Sequence, residues 1–109
     1  MTHLPDAIKA YIEEAKIRGY LLKSDHPQNG GKTAFFHAFG FTSEQWTVLR
    51  DALMVHAITN DVVDTTHSSH GTKHVVRCSV QTPDGRNPCI TTIWIVEGER
   101  SPRLVTAYP

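Results

Sequence analysis

The spacing of hydrophobic residues divides the chain into a helical first half and a strand-forming second half. Up to about residue 58, apolar residues recur at the three- and four-residue spacing of a helix face. From Asp61 onward, apolar and polar residues alternate, as in strands with one buried face. This order predicts an α+β fold, with N-terminal helices packed on one face of a C-terminal antiparallel sheet of about four strands in meander order.

Local signals place the ends of the helices. Gly19 and Gly40 are expected to end the first and second helices. Thr42-Ser-Glu-Gln45 matches a capping box that opens the third. The predicted helices cover about 5–18, 32–39 and 42–58.

Turn residues separate the predicted strands, which cover about 62–66, 73–80, 88–96 and 102–109. In the last strand, strict alternation puts Leu104, Thr106 and Tyr108 on one side, and Arg103, Val105 and Ala107 on the other. A terminal strand that carries Arg, Thr and Tyr is a plausible platform for a polar ligand such as a phosphodiester.

Length and charge limit the classes of function. The 109 residues predict a single domain, 1–109, mainly helical over 1–59 and sheet over 60–109. Eleven basic residues balance eleven acidic ones, so no basic tail or stripe indicates a protein that coats nucleic acid. A small nuclease needs only a local cluster of cations.

Cysteine usage and the N-terminus indicate a compartment. No signal peptide and no membrane-length apolar run are present, which predicts a cytoplasmic protein without a membrane partner. Cys78 and Cys89 are therefore predicted to be reduced, half-buried thiols, although a cross-strand disulfide would suit a secreted protein.

The segment from His26 to Lys32 is the strongest local candidate for chemistry. Gly30 and Gly31 allow close approach of the backbone to a ligand, Lys32 supplies a charge, and His26 could move a proton. The simpler alternative is a solvated loop with a glycine turn.

Other polar residues give weaker signals. His67, His70 and His74 have zinc-like spacing, but no cysteine or carboxylate completes a set, so neither a metal nor another cofactor is predicted. Arg86 stands at a hairpin tip. Arg103 is harder to dismiss, because a partly covered guanidinium costs free energy unless it meets an anion.

The residues also resemble a bacterial domain family of similar length and uncharacterised activity, found alone or at the C-terminus of toxin-like chains. The resemblance rests on motifs that recur in order along nearly the whole chain: Ala15–Leu22, His26-Pro27, Gly31–Phe36, Gly40-Phe41, Gly71–Val76, Pro83–Arg86, Thr92–Ile95 and Pro102–Pro109. The layout is similar to the barnase–EndoU–colicin–RelE (BECR) ribonuclease fold. His74 departs from the family pattern, which has an aromatic residue there.

The resemblance implies an endoribonuclease toxin of a toxin–antitoxin or toxin–immunity system. Its implied partners are an RNA substrate and a small antitoxin or immunity protein. Cleavage would be metal-independent, through attack of the ribose 2′-hydroxyl on phosphorus. The polar residues expected to serve it are His26 or His74 as base, Lys32, Arg86, Arg103 and Thr106 at the phosphate, and Lys16, Gly30, Gly31 and Tyr108 in substrate binding.

Two other hypotheses stay open on the sequence. The first is a non-enzymatic module that binds a protein partner through the same sheet. The second is an enzyme acting on another phosphate compound, such as a nucleotide. Convergence of His26, Lys32 and an arginine on one cleft would favour catalysis, whereas a dominant apolar patch would favour a binding module.

Overall fold

The structure, a computed structural model, describes residues 3–23 and 32–109. In this part of the chain, helical segments come first and an antiparallel sheet follows. The helical segments are a 3₁₀ turn at Ala7–Lys9, α1 at Glu14–Lys16 with a π-helical turn at Ile17–Leu21, α2 at Lys32–Ala38 and α3 at Trp46–Thr59. The predicted α+β class is confirmed.

The sheet is a simple meander. Its strands are β1 at Val62–Ser68, β2 at Gly71–Ser79, β3 at Cys89–Val96 and β4 at Arg103–Tyr108. They lie in the order β1-β2-β3-β4, with every neighbouring pair antiparallel. The predicted strands and turns are confirmed, with ends that shift by one or two residues.

The prediction of one continuous first helix is wrong. After the 3₁₀ turn the chain becomes extended, and Ala10 and Ile12 are buried on either side of the exposed Tyr11. The Tyr11 amide donates to the Pro102 carbonyl at 3.0 Å, and the Leu104 amide donates to the Tyr11 carbonyl at 3.3 Å. Pairing with the free edge of β4 satisfies backbone groups of that strand, and it prevails over the local helix pattern.

The helix resumes at Glu14 with a wider turn. The Leu22 amide donates to the Ile17 carbonyl at 2.8 Å, the five-residue spacing of a π-helix. Gly19 lies inside this turn rather than ending the helix. Ile17 and Leu21 are fully buried beneath it.

The predicted end of α2 is confirmed, whereas α3 begins later than predicted. Gly40 has φ +101° after α2. The Gly40 amide donates to the His37 carbonyl, and the Phe41 amide donates to the Phe36 carbonyl. These are the paired bonds of a Schellman ending. Before α3, Thr42 Oγ1 accepts the Gln45 amide at 3.3 Å, which is one bond of the predicted capping box. The helix itself begins at Trp46 with Gln45 as its N-cap, so the predicted start at Thr42 is wrong.

A bulge changes the faces of β4. Ile93 of β3 pairs with Thr106, but the next residue, Trp94, pairs with Leu104, so Val105 is the extra residue. Leu104 and Ala107 both point into the core and are buried. The predicted alternation is therefore wrong after Leu104, and Thr106 does not share a face with Leu104.

A buried polar network joins α3 to the sheet. His56 is 1 % exposed, and its Nε2 donates to the Cys78 carbonyl at 2.9 Å. The Thr92 hydroxyl lies 3.1 Å from His56 Nδ1 and accepts the Trp94 indole N–H at 2.9 Å. Since the carbonyl requires a proton on Nε2, these bonds suit the neutral imidazole. Burial lowers the pKa of His56, against the opposing effect of backbone acceptors.

Arg86 ties the hairpin between β2 and β3 to the end of α2. Its Nη2 donates to the Ala38 carbonyl at 2.7 Å, and its guanidinium lies 4.2 Å from the centre of the Phe39 ring. Its Nε also pairs with Asp84. A cation at a helix C-terminus complements the free carbonyls there, so the arginine at the hairpin tip has a structural role.

The two cysteines are free and exposed, so the predicted half-burial is wrong. Cys78 pairs across the sheet with Ile90, and Cys89 pairs with Ser79. The two thiols lie close enough to hydrogen-bond, and this contact is the largest cause of the raised pKa of Cys89. Among the described residues, no helix combines the length and apolar composition needed to span a bilayer.

The lowered pKa of His56 predicts that stability falls in mild acid. The unfolded chain binds a proton near pH ~6.5, whereas the folded imidazole resists protonation to lower pH. Stability is therefore present above that value and is lost as the pH falls toward the folded pKa. We expect the urea midpoint to decrease between about pH 7.5 and about pH 5.

His74 also has a pKa lowered by burial and contributes with the same sign. The His56→Gln variant should therefore keep a smaller pH dependence. The His70→Gln variant changes an exposed residue and should match the wild type. A wild-type midpoint that is flat or rises in acid would contradict the prediction.

Removal of the Arg86 guanidinium should weaken the fold. We expect Arg86→Ala to lower Tm by about 4 °C in a thermal melt, because the bond to Ala38 and the contact with Phe39 are lost. Arg50→Ala is the matched control, since Arg50 also has a ring contact and an ion pair, but both lie within α3. An equal effect of the two substitutions would argue against a specific tie.

Candidate functional site: a cationic cleft beside the last strand

A cleft of about 570 Å³ separates the α1 segment from β4. The bridge between Tyr11 and Arg103 fixes one end of the α1 segment against the strand. The helical turn that follows then points two side chains, Lys16 and Tyr20, toward β4. The cleft is lined by Glu13, Ala15, Lys16, Gly19, Tyr20, Arg103, Leu104 and Val105.

Tyr20 is the centre of the polar contacts in this cleft. The ammonium of Lys32 donates to the Tyr20 hydroxyl at 2.7 Å. The same Nζ lies 5.0 Å from the centre of the phenol ring, and Lys16 Nζ lies 5.2 Å from it. Two ammonium groups on different helices therefore flank one phenol.

These neighbours lower the pKa of the Tyr20 phenol. The largest cause is the hydrogen bond from Lys32, which outweighs the opposing effect of burial. The Thr106 hydroxyl and the positive charges of Lys32 and Lys16 act in the same direction. All of them favour the phenolate, because donors and cations stabilise the charged form of an acid.

Thr106 places a hydroxyl at the sheet side of this cluster. Its Oγ1 is buried and lacks a hydrogen bond of good geometry within the described part of the chain. It nevertheless lies near enough to Tyr20 to help lower the pKa of the phenol. A buried hydroxyl without a well-formed bond is uncommon, and here it lies beside Tyr20, which lines the open cleft.

Arg103 forms the other positive wall. Its Nη2 pairs with Glu97 at 3.0 Å, and this bond is the largest cause of the raised pKa of Arg103. Glu13, which also lines the cleft, lies close enough to raise it further. The arginine is thus held in place at the rim, with part of its charge already compensated.

The structure brings together some of the residues that the sequence predicted for the site. Lys16, Lys32 and Thr106 all contact or adjoin Tyr20, and Arg103 lines the same cleft. Tyr108 is exposed two residues further along β4, opposite Thr91. His26, Gly30 and Gly31 lie outside the described residues.

His74 and Arg86 lie elsewhere. His74 pairs with Trp94 on the core face of the sheet and is 9 % exposed. Its Nδ1 lies 3.1 Å from the Thr65 hydroxyl of β1, and burial is the main cause of its lowered pKa. Arg86 is engaged at the end of α2, as described above.

Sequence reasoning missed Tyr20. Lys16 and Tyr20 are four residues apart, a spacing that puts both on one helix face. That signal was present, but the first helix was predicted to end at Gly19, so Tyr20 was assigned to the start of a loop. The continuation of the helical turn through Gly19 is what presents the phenol to the cleft.

The histidines at the β1–β2 turn do not assemble a metal site. His67 Nδ1 lies 3.1 Å from the Thr72 hydroxyl, and His74 is turned toward Thr65. Over residues 3–23 and 32–109, no cluster of three or more His, Cys, Asp or Glu side chains has metal-binding geometry.

The fold has a solved counterpart. A chain in the structure of a contact-dependent growth inhibition toxin–immunity protein complex from Klebsiella pneumoniae 342 superposes with a TM-score of 0.75. The match covers 91 % of this chain and 98 % of that one, at 14 % sequence identity, so it shows a shared fold.

Sequence comparison gives a family but not an activity. No curated protein sequence matches the chain significantly. The family model for a domain of unknown function, DUF6883, matches residues 3–109. Because the match spans nearly the whole chain, the protein belongs to the DUF6883 family.

Proposed function

We propose that this protein is a metal-independent endoribonuclease toxin of a bacterial toxin–antitoxin or toxin–immunity system. The observation that carries the proposal is a cleft lined by Lys16 and Arg103, together with Lys32, which binds the hydroxyl of the cleft residue Tyr20. These cations come from α1, α2 and β4, so only the folded chain brings them together. A hydroxyl-bearing residue, Tyr20, lies among them.

The electrostatics of the cleft suit a phosphodiester. The chain as a whole is neutral, but Lys16 and Arg103 line the cleft and Lys32 adjoins it at Tyr20. The nearby carboxylates are Glu13, which lines the cleft, and Glu97, which is paired with Arg103. A low-dielectric wall strengthens such charges relative to water. A local excess of this kind attracts an anionic substrate without a basic protein surface.

The proposed reaction is transesterification within the RNA strand. The ribose 2′-oxygen attacks the adjacent phosphorus, and the bond to the 5′-oxygen breaks. The products are a 2′,3′-cyclic phosphate and a 5′-hydroxyl. Lys16 and Lys32 would stabilise the charge that develops on the phosphorane oxygens, with Arg103 at the rim, and such stabilisation is usually the largest part of catalysis. Thr106 would donate a positioning hydrogen bond.

The fold neighbour supports a toxin role and a protein partner. The Klebsiella structure is a complex of a toxin with its immunity protein, and a chain of that complex shares the present fold. We propose that a small immunity protein or antitoxin binds this chain in the cytoplasm, where its RNA substrate is found. The relationship to the BECR fold, expected from the sequence, stays a prediction.

A protein-interaction module is the second candidate. The observation that favours it is an apolar groove of about 390 Å³ beside α3, lined in part by Val48, Ala52, Val55 and Pro83. Val48 and Val55 are 41 % and 37 % exposed, and they could contact a partner. The groove lies apart from the cationic cleft, so the two activities can be separated by substitution.

Removing the charge of either lysine should slow RNA cleavage. We expect Lys16→Ala and Lys32→Ala each to slow RNA cleavage by about 100-fold, since each removes one cation from the developing phosphorane. The measurement is cleavage of tRNA, mRNA and rRNA by purified protein, with analysis of the product ends. Lys9→Ala is the control, because Lys9 is exposed and lies outside the cleft.

Full activity of both cleft variants would refute the site. Absence of cleavage of all three RNA classes by the wild-type protein would refute the nuclease and favour the interaction module.

A cognate antitoxin should relieve the growth arrest. We expect bacteria that express this chain alone to stop growing, and coexpression of a small protein encoded by a neighbouring gene to restore growth by binding the toxin. Growth curves and copurification of the two proteins provide the measurement. The Lys16→Ala form should copurify equally well if the partner contacts mainly the α3 groove, and less well if it contacts the cleft. Arrest that persists despite coexpression would contradict the pairing.

A further inference from the structure

We propose that Tyr20 is the general base of this site, and that its phenolate oxygen accepts the proton of the attacking ribose 2′-hydroxyl. The inference rests on the proposed nuclease function and adds a catalytic residue to it. Catalytic bases in RNA cleavage were expected among the histidines, but the geometry points to a tyrosine.

The position of the Tyr20 hydroxyl supports this role. Lys32 occupies one side of the oxygen with a donated hydrogen bond at 2.7 Å, so the oxygen acts as an acceptor in that contact. Tyr20 lines the open cleft and is half-buried. A substrate that enters the cleft therefore meets the side chain of Tyr20, whose hydroxyl is oriented by a cation.

Charges from each surrounding element favour the phenolate. Lys16 of α1 and Lys32 of α2 adjoin the ring, and the Thr106 hydroxyl of β4 lies beside it. These groups lower the pKa of the phenol. Two further charged residues line the same cleft, Arg103 and Glu13. A base is most effective when its pKa is near the working pH, and a lowered phenol pKa moves in that direction.

The remaining candidates on the described chain are placed less well. His56 has both ring nitrogens engaged inside the core. His74 lies on the core face of the sheet and contacts Thr65. Glu13 lines the cleft, but it lies near Arg103 and raises the pKa of that guanidinium. Because Glu13 also lines the cleft, it is the alternative general base that the experiment must exclude.

The proposed step is balanced. The 2′-hydroxyl proton moves to the Tyr20 oxygen while the 2′-oxygen forms its bond to phosphorus. The phosphorus–5′-oxygen bond then breaks, and the departing oxygen takes a proton from solvent water at the mouth of the cleft. The Tyr20 phenol returns its proton to solvent, with Lys32 and Lys16 holding the phenolate for the next turnover.

The first experiment compares hydroxyl deletions at two tyrosines. Tyr20→Phe keeps the ring that packs beside the lysines and should lower kcat by about 100-fold to 10,000-fold. Binding of an RNA that carries 2′-deoxyribose at the cleavage site should change by less than about 3-fold, since a base acts on the reacting proton. Tyr11→Phe is the matched control, because the fold uses the backbone of Tyr11; its kcat should stay near the wild-type value. Glu13→Gln tests the competing carboxylate, and its kcat should fall much less than that of Tyr20→Phe.

The second experiment separates a base from a positioning hydroxyl. Replacement of Tyr20 by 3,5-difluorotyrosine makes the phenol more acidic without removing its oxygen. The acidic limb of the pH–rate profile should then move to lower pH, and the ultraviolet titration of the phenolate should move with it. The same replacement at Tyr11 should leave the profile unchanged.

The outcomes distinguish the two proposals. A wild-type protein that cleaves no RNA overturns the nuclease function, and the base with it. If Tyr20→Phe still cleaves RNA, or if only Glu13→Gln loses cleavage, the assignment of Tyr20 as the base is wrong. The proposed nuclease function would remain. If the protein with 3,5-difluorotyrosine at position 20 has an unshifted pH–rate profile, the assignment of Tyr20 as the base is also wrong. Loss of kcat together with a shifted profile supports it.

Discussion

The pairing of Tyr11 with β4 is the contact on which the site depends. As the last strand of the meander, β4 would present free amides and carbonyls along its outer edge. Two backbone hydrogen bonds to Tyr11 occupy part of that edge. They also fix the start of α1 beside Arg103, so the next two turns of helix face the strand. Protection of a sheet edge and construction of the cleft therefore have one cause.

Polar residues of this chain divide into two groups according to what surrounds them. His56 and Arg86 have all their main contacts within the protein, and these contacts join α3 or α2 to the sheet. Lys16 and Lys32 instead converge on a phenol beside open space. Residue type does not separate the groups, since both contain cations or titratable side chains. What separates them is whether the bonding capacity is satisfied internally or is directed into a cleft.

A neutral chain can still present a strong local field. The basic and acidic residues are equal in number, but folding brings Lys16 and Arg103 to one cleft and Lys32 to Tyr20 at its wall. Each lysine lowers the free energy of the Tyr20 phenolate and would do the same for a bound phosphate. The same groups would thus serve both the proposed base and a bound anion. One set of cations can stabilise both groups because phosphate and phenolate both carry negative charge at oxygen.

The sequence by itself determined the class of fold, the meander, α2 with its end at Gly40, and the body of α3, because those features follow from local periodicity and turn residues. It also identified Lys16, Lys32, Arg103 and Thr106 as residues of interest. Tertiary structure alone decided the extended break at Tyr11, the bulge at Val105 and the central place of Tyr20. The physical reason is that a strand edge and a partner strand supply hydrogen bonds from distant segments, and local propensity carries no information about them.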